Sequence, residues 1–308
     1  MRRSTGVALV ALAAGLWGTD ALFRKPLADS TSVATIVFGE HVVLVAVALP
    51  FVAGALAAVW RLGWRYLLAA VVIGAGASAI ATILFTQAFV DSANPVTPVV
   101  LQKVQPIVAV LGAWIVLRER PRPRFGLYLV GALAGTWLMA FPSPASDVCS
   151  NWAAAVKPVL FALGAACLWA FGTVLGRFLT RRLRFEHVTT LRFVFGLPAS
   201  AVALVVLGGP AVASAHDSLW IAILALVTGA IALSLYYFGL RSTPALAATL
   251  AELAFPVTAA LVGYLAFDAT LTSTQWLGVG VTTLVVALLP ARPRDVVDAV
   301  GAPVPAPA

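Results

Sequence analysis

Apolar residues come in long runs along this chain, and the polar residues gather in short gaps between them. Ten runs stand out, over residues 5–25, 33–53, 66–89, 95–117, 124–141, 158–180, 187–207, 218–240, 244–267 and 274–290. A helix rises about 1.5 Å per residue, so about 20 apolar residues cross a hydrocarbon core of about 30 Å. Each run is therefore predicted to be a transmembrane helix, and the fold class to be all-α integral membrane. The gaps are too short to hold a soluble domain. The opening "MRRSTGVALVALAAG" has the charged start and small residues of a signal peptide, but the run outlasts a signal and nine more follow. An uncleaved first span is expected. Beyond Arg294 the tail "VVDAVGAPVPAPA" is rich in Pro and Ala and reads as disordered.

Composition agrees with the pattern: 61% of the residues are hydrophobic, 10% are charged and the mean hydropathy is +0.99, which excludes a soluble globular protein. The net charge of +8 and pI near 10.2 would suggest nucleic acid in a soluble protein. Here the basic residues lie in the gaps, where they act as topology signals, and no nucleic-acid partner is predicted. With the N-terminus in the cytoplasm, that side receives Arg2, Arg3, Arg61, Arg65, Arg118, Arg120, Arg122 and Arg124, then Arg177, Arg181, Arg182, Arg184, Arg241, Arg292 and Arg294. The other side receives Arg24, Lys25 and Lys157. Both termini are predicted to be cytoplasmic, in a multi-pass protein of the inner membrane. Cys149 and Cys167 fall at different depths and suggest no disulfide. No metal-ligand spacing, phosphate-cradling glycine loop or cofactor motif appears.

The two halves resemble each other. Leu16-Trp17 recurs as Leu168-Trp169, and "VATIVF" from Val33 recurs as "VTTLRF" from Val188. At a common offset, Ser92, Pro106, Ala109 and Leu111 meet Ser242, Pro256, Ala259 and Leu261. Five spans per half is an odd number, so the second copy enters from the opposite face as an inverted-topology repeat. The predicted organisation is a first five-helix repeat over 1–141, an outer connecting loop over 142–157, a second five-helix repeat over 158–291 and a cytoplasmic tail over 292–308.

These stretches resemble the EamA-type branch of the drug/metabolite transporter superfamily across residues 5 to 290. The resemblance is carried by "LWGTDALFRK", "LQKVQPIVAVLGAWIVLRERP", "LWAFGTVLGRFL", "VTTLRF" and "YYFGLRSTPALAATLAELAFP". Glu119 looks like that family's Leu-x-Glu-Arg ending of the fourth span; the ninth span offers only a looser match near Asp268. What the resemblance implies is a ten-helix fold and transport of a small organic solute, with the substrate left open.

Charges inside spans sharpen this expectation, because a charge at the centre of a spanning helix costs roughly 2.5–3.5 kcal/mol and normally faces protein interior or a wet cavity. Glu40, Lys103, Arg192 and Glu252 are the four. Lys103 and Glu252 each lie roughly 12 Å into their spans from opposite faces, so their side chains can meet, either facing a central cavity or locking the halves together. Gln102 and Glu252 occupy equivalent places in the two repeats. Pro106 and Pro256 would deprive the carbonyls of Gln102 and Glu252 of their helical donors, leaving free oxygens for a cavity. Arg192 aligns with Val37, three residues from Glu40, yet stands close enough to the end of its span to snorkel into the headgroups. For Glu40 the choice is between a site carboxyl and one hydrogen-bonded between helices. His41 is expected to point elsewhere on its helix and bond between helices, Asp20 and Arg24 to pair at i, i+4, and "GAGASAIA" from Gly74 to allow close helix contact.

Trp17, Trp169, Tyr236 and Tyr237 either line the cavity or pack generically. The three histidines, His41, His187 and His216, are scattered and suggest no enzyme. The resulting expectation is a secondary transporter, an exporter or facilitator of a small organic metabolite such as an amino acid or related compound, with protons as a possible coupling partner and the oligomeric state unassigned. Efflux of drugs or amphipaths, and a non-transporting assembly role, are the alternatives.

Overall fold

The apolar runs fold as helices. The structure, a computed structural model, describes residues 3–90, 102, 104–140, 156–289 and 297–299. The first half comprises α1 (Arg3–Gly18), α2 (Asp20–Ser30), α3 (Val33–Leu62), α4 (Trp64–Val71), a π-helical stretch π1 (Val72–Ile80), α5 (Ala81–Val90), α6 (Gln105–Gly112), π2 (Ala113–Leu117), strand β1 (Glu119–Pro121) and α7 (Pro123–Ala140). The second comprises α8 (Val156–Thr180), α9 (Phe185–Leu207), α10 (Ala215–Leu224), π3 (Ala225–Ile231), α11 (Ala232–Leu240), α12 (Ala245–Ala251), α13 (Ala254–Ala266), α14 (Ser273–Ala287) and strand β2 (Val297–Ala299). Seven described stretches are long and apolar enough to cross a membrane, and Gln105–Leu117 and Ser273–Ala287 are shorter apolar helices.

Local chemistry sets the ends. Ser32 and Ser214 cap α3 and α10 by accepting the Thr35 and Asp217 backbone N–H groups, and Thr272 with Gln275 forms a capping box at α14. Gly63, at φ 92°, makes the tight turn between α3 and α4 that a side chain would strain. The Thr5–Leu27 span breaks at Thr19 and the Ala245–Ala266 span at Glu252-Leu253, where Pro256 has no N–H to continue the ladder.

Packing then joins helices across the halves. Helix α3 lies on α9 and α7 on α14; α1 lies on α11 and α13, while α8 lies on α5, α6 and π1. Lipid offers little hydrophobic drive between helices, so close approach of small residues must supply dispersion contact. The sequence provides it. A Cβ on Gly74 would stand 2.6 Å from the Phe195 Cβ and 2.9 Å from the Arg192 carbonyl oxygen. One on Gly18 would stand 2.8 Å from the Phe255 carbonyl oxygen. Large apolar side chains such as Leu127, Val205 and Leu265 instead face outward, as a lipid-exposed surface requires.

At the arginine-rich end, the halves are tied by one carboxylate. Arg118 adopts the left-handed conformation (φ 55°), which turns the chain after π2 and carries Glu119 inward. Buried there, Glu119 accepts the Leu246 N–H at 3.2 Å and meets Arg181 at 3.4 Å. It caps α12, whose own N-cap residue, Pro244, has no side chain able to do so. Beside it, Arg177 donates to the carbonyls of Leu240 and Arg241. Of the tail expected to be disordered, only residues 297–299 are among the described residues, and they pair as β2 antiparallel to β1, in the register Glu119 to Ala299 and Pro121 to Val297.

Two stability predictions follow from this packing. Gly74→Ala should cost about 1–3 kcal/mol, the range for overpacking, read as a lowered thermal midpoint of the purified protein. A midpoint equal to wild type would show that α9 yields to the new methyl. Glu119→Ala should cost about 1–3 kcal/mol through the orphaned Leu246 N–H, and Glu119→Gln, which keeps an acceptor, clearly less; equal losses would assign the effect to charge.

Candidate functional site

Where the halves meet, the helices leave a cavity of about 530 Å³, lined by α1–α3, π1 and α5, α6, α8, α9, π3 and α11, and the α12–α13 break. Three polar groups occupy its wall.

The first centres on Glu252, in the break. Its Oε1 accepts hydrogen bonds from the Tyr236 hydroxyl at 2.7 Å and the Thr173 hydroxyl at 2.8 Å, and its Oε2 from the Gln105 amide at 3.1 Å. All three donors are neutral. Lys103, expected as partner, lies outside the described residues; Gln102 lines the cavity. One expectation is overturned: the Glu252 carbonyl is not free, because the Phe255 N–H reaches it at 3.0 Å. The chain shortens its turn at the break and so recovers the bond that Pro256 removes.

The second centres on Arg192, which does not snorkel. Its Nε donates to Ser78 Oγ at 2.8 Å, Nη1 to the Tyr237 hydroxyl at 3.0 Å and Nη2 to the Ala77 carbonyl at 3.3 Å. Helix α9 packs π1 against this face, and Gly172 of α8 leaves room beside Nη1. A guanidinium held by three inward partners has no reason to seek the headgroups.

The third is Arg24, between two acids. It pairs with Asp20 at 2.6 Å, as the i, i+4 spacing predicts, and also reaches Glu40 at 3.1 Å. Glu40 is thus in an ion pair with Arg24. His41 lines the cavity as well, contrary to expectation, and bonds within its own helix, Nδ1 to the Val37 carbonyl at 2.7 Å. Its Nε2 has no partner among the described residues and lies against Gly196.

Aromatic rings complete the wall. Trp17 donates to the Thr228 carbonyl at 2.9 Å and packs on Tyr236 with centroids 5.1 Å apart; Trp169 packs on Phe85, also at 5.1 Å. Tyr237 stands behind the wall, buried, positioning Arg192. Sequence reasoning missed Gln105, Thr173 and Ser78. Thr173 was open to discovery, since it follows Trp169 by one helical turn and shares its face; an isolated hydroxyl such as Ser78 carries no such signal.

Comparison with known proteins follows the same lines. The EamA-like transporter family matches over residues 4–141 and again over 156–290. A protein of Fusobacterium nucleatum named riboflavin transporter ImpX is 29% identical over 269 residues, covering 84% of this chain and 89% of its own. The uncharacterized transporter YwfM of Bacillus subtilis is 31% identical over 220 residues, covering 68% and 69%. A protein of known crystal structure superposes with a TM-score of 0.68 at 20% identity, over 91% of this chain and 95% of that one, a likeness of fold. With both halves matched, this multi-pass membrane protein belongs to the EamA-like transporter family.

Proposed function

We propose that the protein is a secondary transporter of the inner membrane, an exporter or facilitator of an amino acid or related metabolite, linked to proton movement. The observation that carries this is Glu252: an acid at a helix break, facing a cavity between the halves and held by neutral donors from α6, α8 and α11. Such a group can exchange a proton with little rearrangement, because the hydroxyls can reverse their donor role. Acids and bases in one cavity suit a zwitterion better than a strongly charged solute.

The architecture proposed for this activity is ten helices in two inverted five-helix repeats, over 1–141 and 158–291, with both termini cytoplasmic. Support comes from paired contacts. The second helices of the halves pack on each other, as do the fifth, and each half's first helix packs on the third and fourth of the other. The third helix of each half also contains a long π-helical stretch. Alternating access would then rock one repeat against the other around the cavity.

A second reading, a larger planar solute, is favoured by the ring-lined wall of Trp17, Phe85, Trp169 and Tyr236, and one relative is named a riboflavin transporter.

Two experiments test these readings. Solutes that differ between overexpressing and deletion cells, amino acids and flavins included, are to be loaded into proteoliposomes under an imposed pH gradient. Wild type should move its solute along the gradient, and Glu252→Gln, which mimics the protonated acid, should lose the stimulation while keeping exchange. Indifference of wild type to the gradient leaves facilitated diffusion, and stimulation that survives in Glu252→Gln moves coupling to Glu40. For orientation, Arg61→Cys in a chain with Cys149 and Cys167 replaced by alanine should react with an impermeant thiol reagent only in inverted vesicles; labelling in intact cells reverses the topology.

A further inference from the structure

The five charged groups described in the cavity wall are Asp20, Glu40, Glu252, Arg24 and Arg192. Arg24 is committed, with contacts to both Asp20 and Glu40. Arg192 is held differently: although three acids share the cavity, its partners among the described residues are a serine hydroxyl, a phenol and a backbone carbonyl. A guanidinium has five N–H groups in a planar fork. Three are used by these partners, which leaves two, one on each terminal nitrogen.

We infer that Arg192 is the carboxylate anchor of the cavity, so that the solutes it accepts carry a carboxylate, and that Tyr237, Ser78 and the Ala77 carbonyl fix the fork for it. Two N–H groups on one planar cation match the two oxygens of a carboxylate, the arrangement that gives arginine its bidentate specificity. The anchor is rigid before the solute arrives. Ala77 and Ser78 are neighbours in π1, and Tyr237 is itself buried against Gly176. Consecutive tyrosines set the geometry of the whole wall, as Tyr237 holds Arg192 and Tyr236 holds Glu252, their rings 5.2 Å apart. A solute carboxylate on Arg192 therefore places the rest of the molecule beside the Glu252 carboxylate and the rings of Trp17 and Tyr236. An ammonium group there completes a zwitterion. A doubly charged phosphate is disfavoured by the three acids that share the cavity.

This deepens the transport reading and draws its biological meaning from it, yet it is tested by binding alone. The probes are benzoate and its neutral isostere benzamide, with inorganic phosphate as a third, titrated into the purified full chain with tryptophan fluorescence as readout, since Trp17 and Trp169 line the cavity. Wild type should bind benzoate about tenfold or more tightly than benzamide, the scale of a charge-assisted hydrogen bond. Arg192→Gln should bring the two affinities together, and Arg192→Lys, which keeps charge but not the fork, should retain part of the preference. Should Arg192→Gln fail to fold, judged by its thermal midpoint, the reduced preference in Arg192→Lys carries the test. Binding of neither aromatic probe, equal binding, tighter binding of phosphate, or an unchanged preference in the variants overturns the anchor. A wild type that prefers benzoate but moves no solute in proteoliposomes overturns transport and leaves the anchor standing.

Discussion

A carboxylate placed where water is scarce dominates this molecule. An ionised or even neutral acid in the membrane interior must have its oxygens occupied, and Glu252 recruits a phenol, a hydroxyl and an amide from three helices to do so. Meeting that demand fixes much else. Tyr236 must reach the break, so α11 lies beside it, and Trp17 packs on the same tyrosine. Gly18 must let α1 pass close to the Phe255 carbonyl on the far side of the break. Polar satisfaction at one point thus sets the approach of helices from both halves.

The π-helical stretches extend the same logic. An ordinary helix turns its carbonyls along its own axis and keeps them occupied, whereas a widened turn shifts that pattern and is often found at functional sites. In π1 the Ala77 carbonyl accepts from Arg192, and in π3 the Thr228 carbonyl accepts from Trp17. Each of these π-helical stretches therefore offers a backbone oxygen to a side chain of the other half. The glycines of π1 serve this too, since Gly74 brings the backbone of α9 close enough for Arg192 to reach inward.

The helices were legible in the sequence because the bilayer imposes a length and an apolarity that short gaps cannot disguise. The buried ionisable residues were legible for the same reason: Glu40, Arg192 and Glu252 are each conspicuous against apolar neighbours, and all line the cavity. Pairings were harder. Arg24 was read with Asp20 alone because i, i+4 spacing is local, while its second partner, Glu40, belongs to another helix and depends on the break at Thr19. Arg192 was legible as a charge, but its distance from the span end could not say which way it points. That was decided by π1, whose widening has no single-residue signature. The carbonyl expected to be free at Glu252 was lost to a tightened turn that Pro256 permits.

The short helix α12 joins two polar centres, one at the arginine-rich end and one at the cavity. Its first turn is capped by Glu119, which belongs to the first half, and its last residue is followed directly by Glu252. Seven helical residues span about 10 Å, and all seven are buried, so α12 behaves as a stiff strut with one end in the arginine-rich seam and the other at the cavity. The seam end is held by the Leu246 N–H on Glu119, and the cavity end by the donors on Glu252. The hydrogen-bond demands of two buried carboxylates are thus met at opposite ends of one buried helix of about two turns, so the arginine-rich seam and the cavity share a single rigid element and no long pathway of side chains separates them.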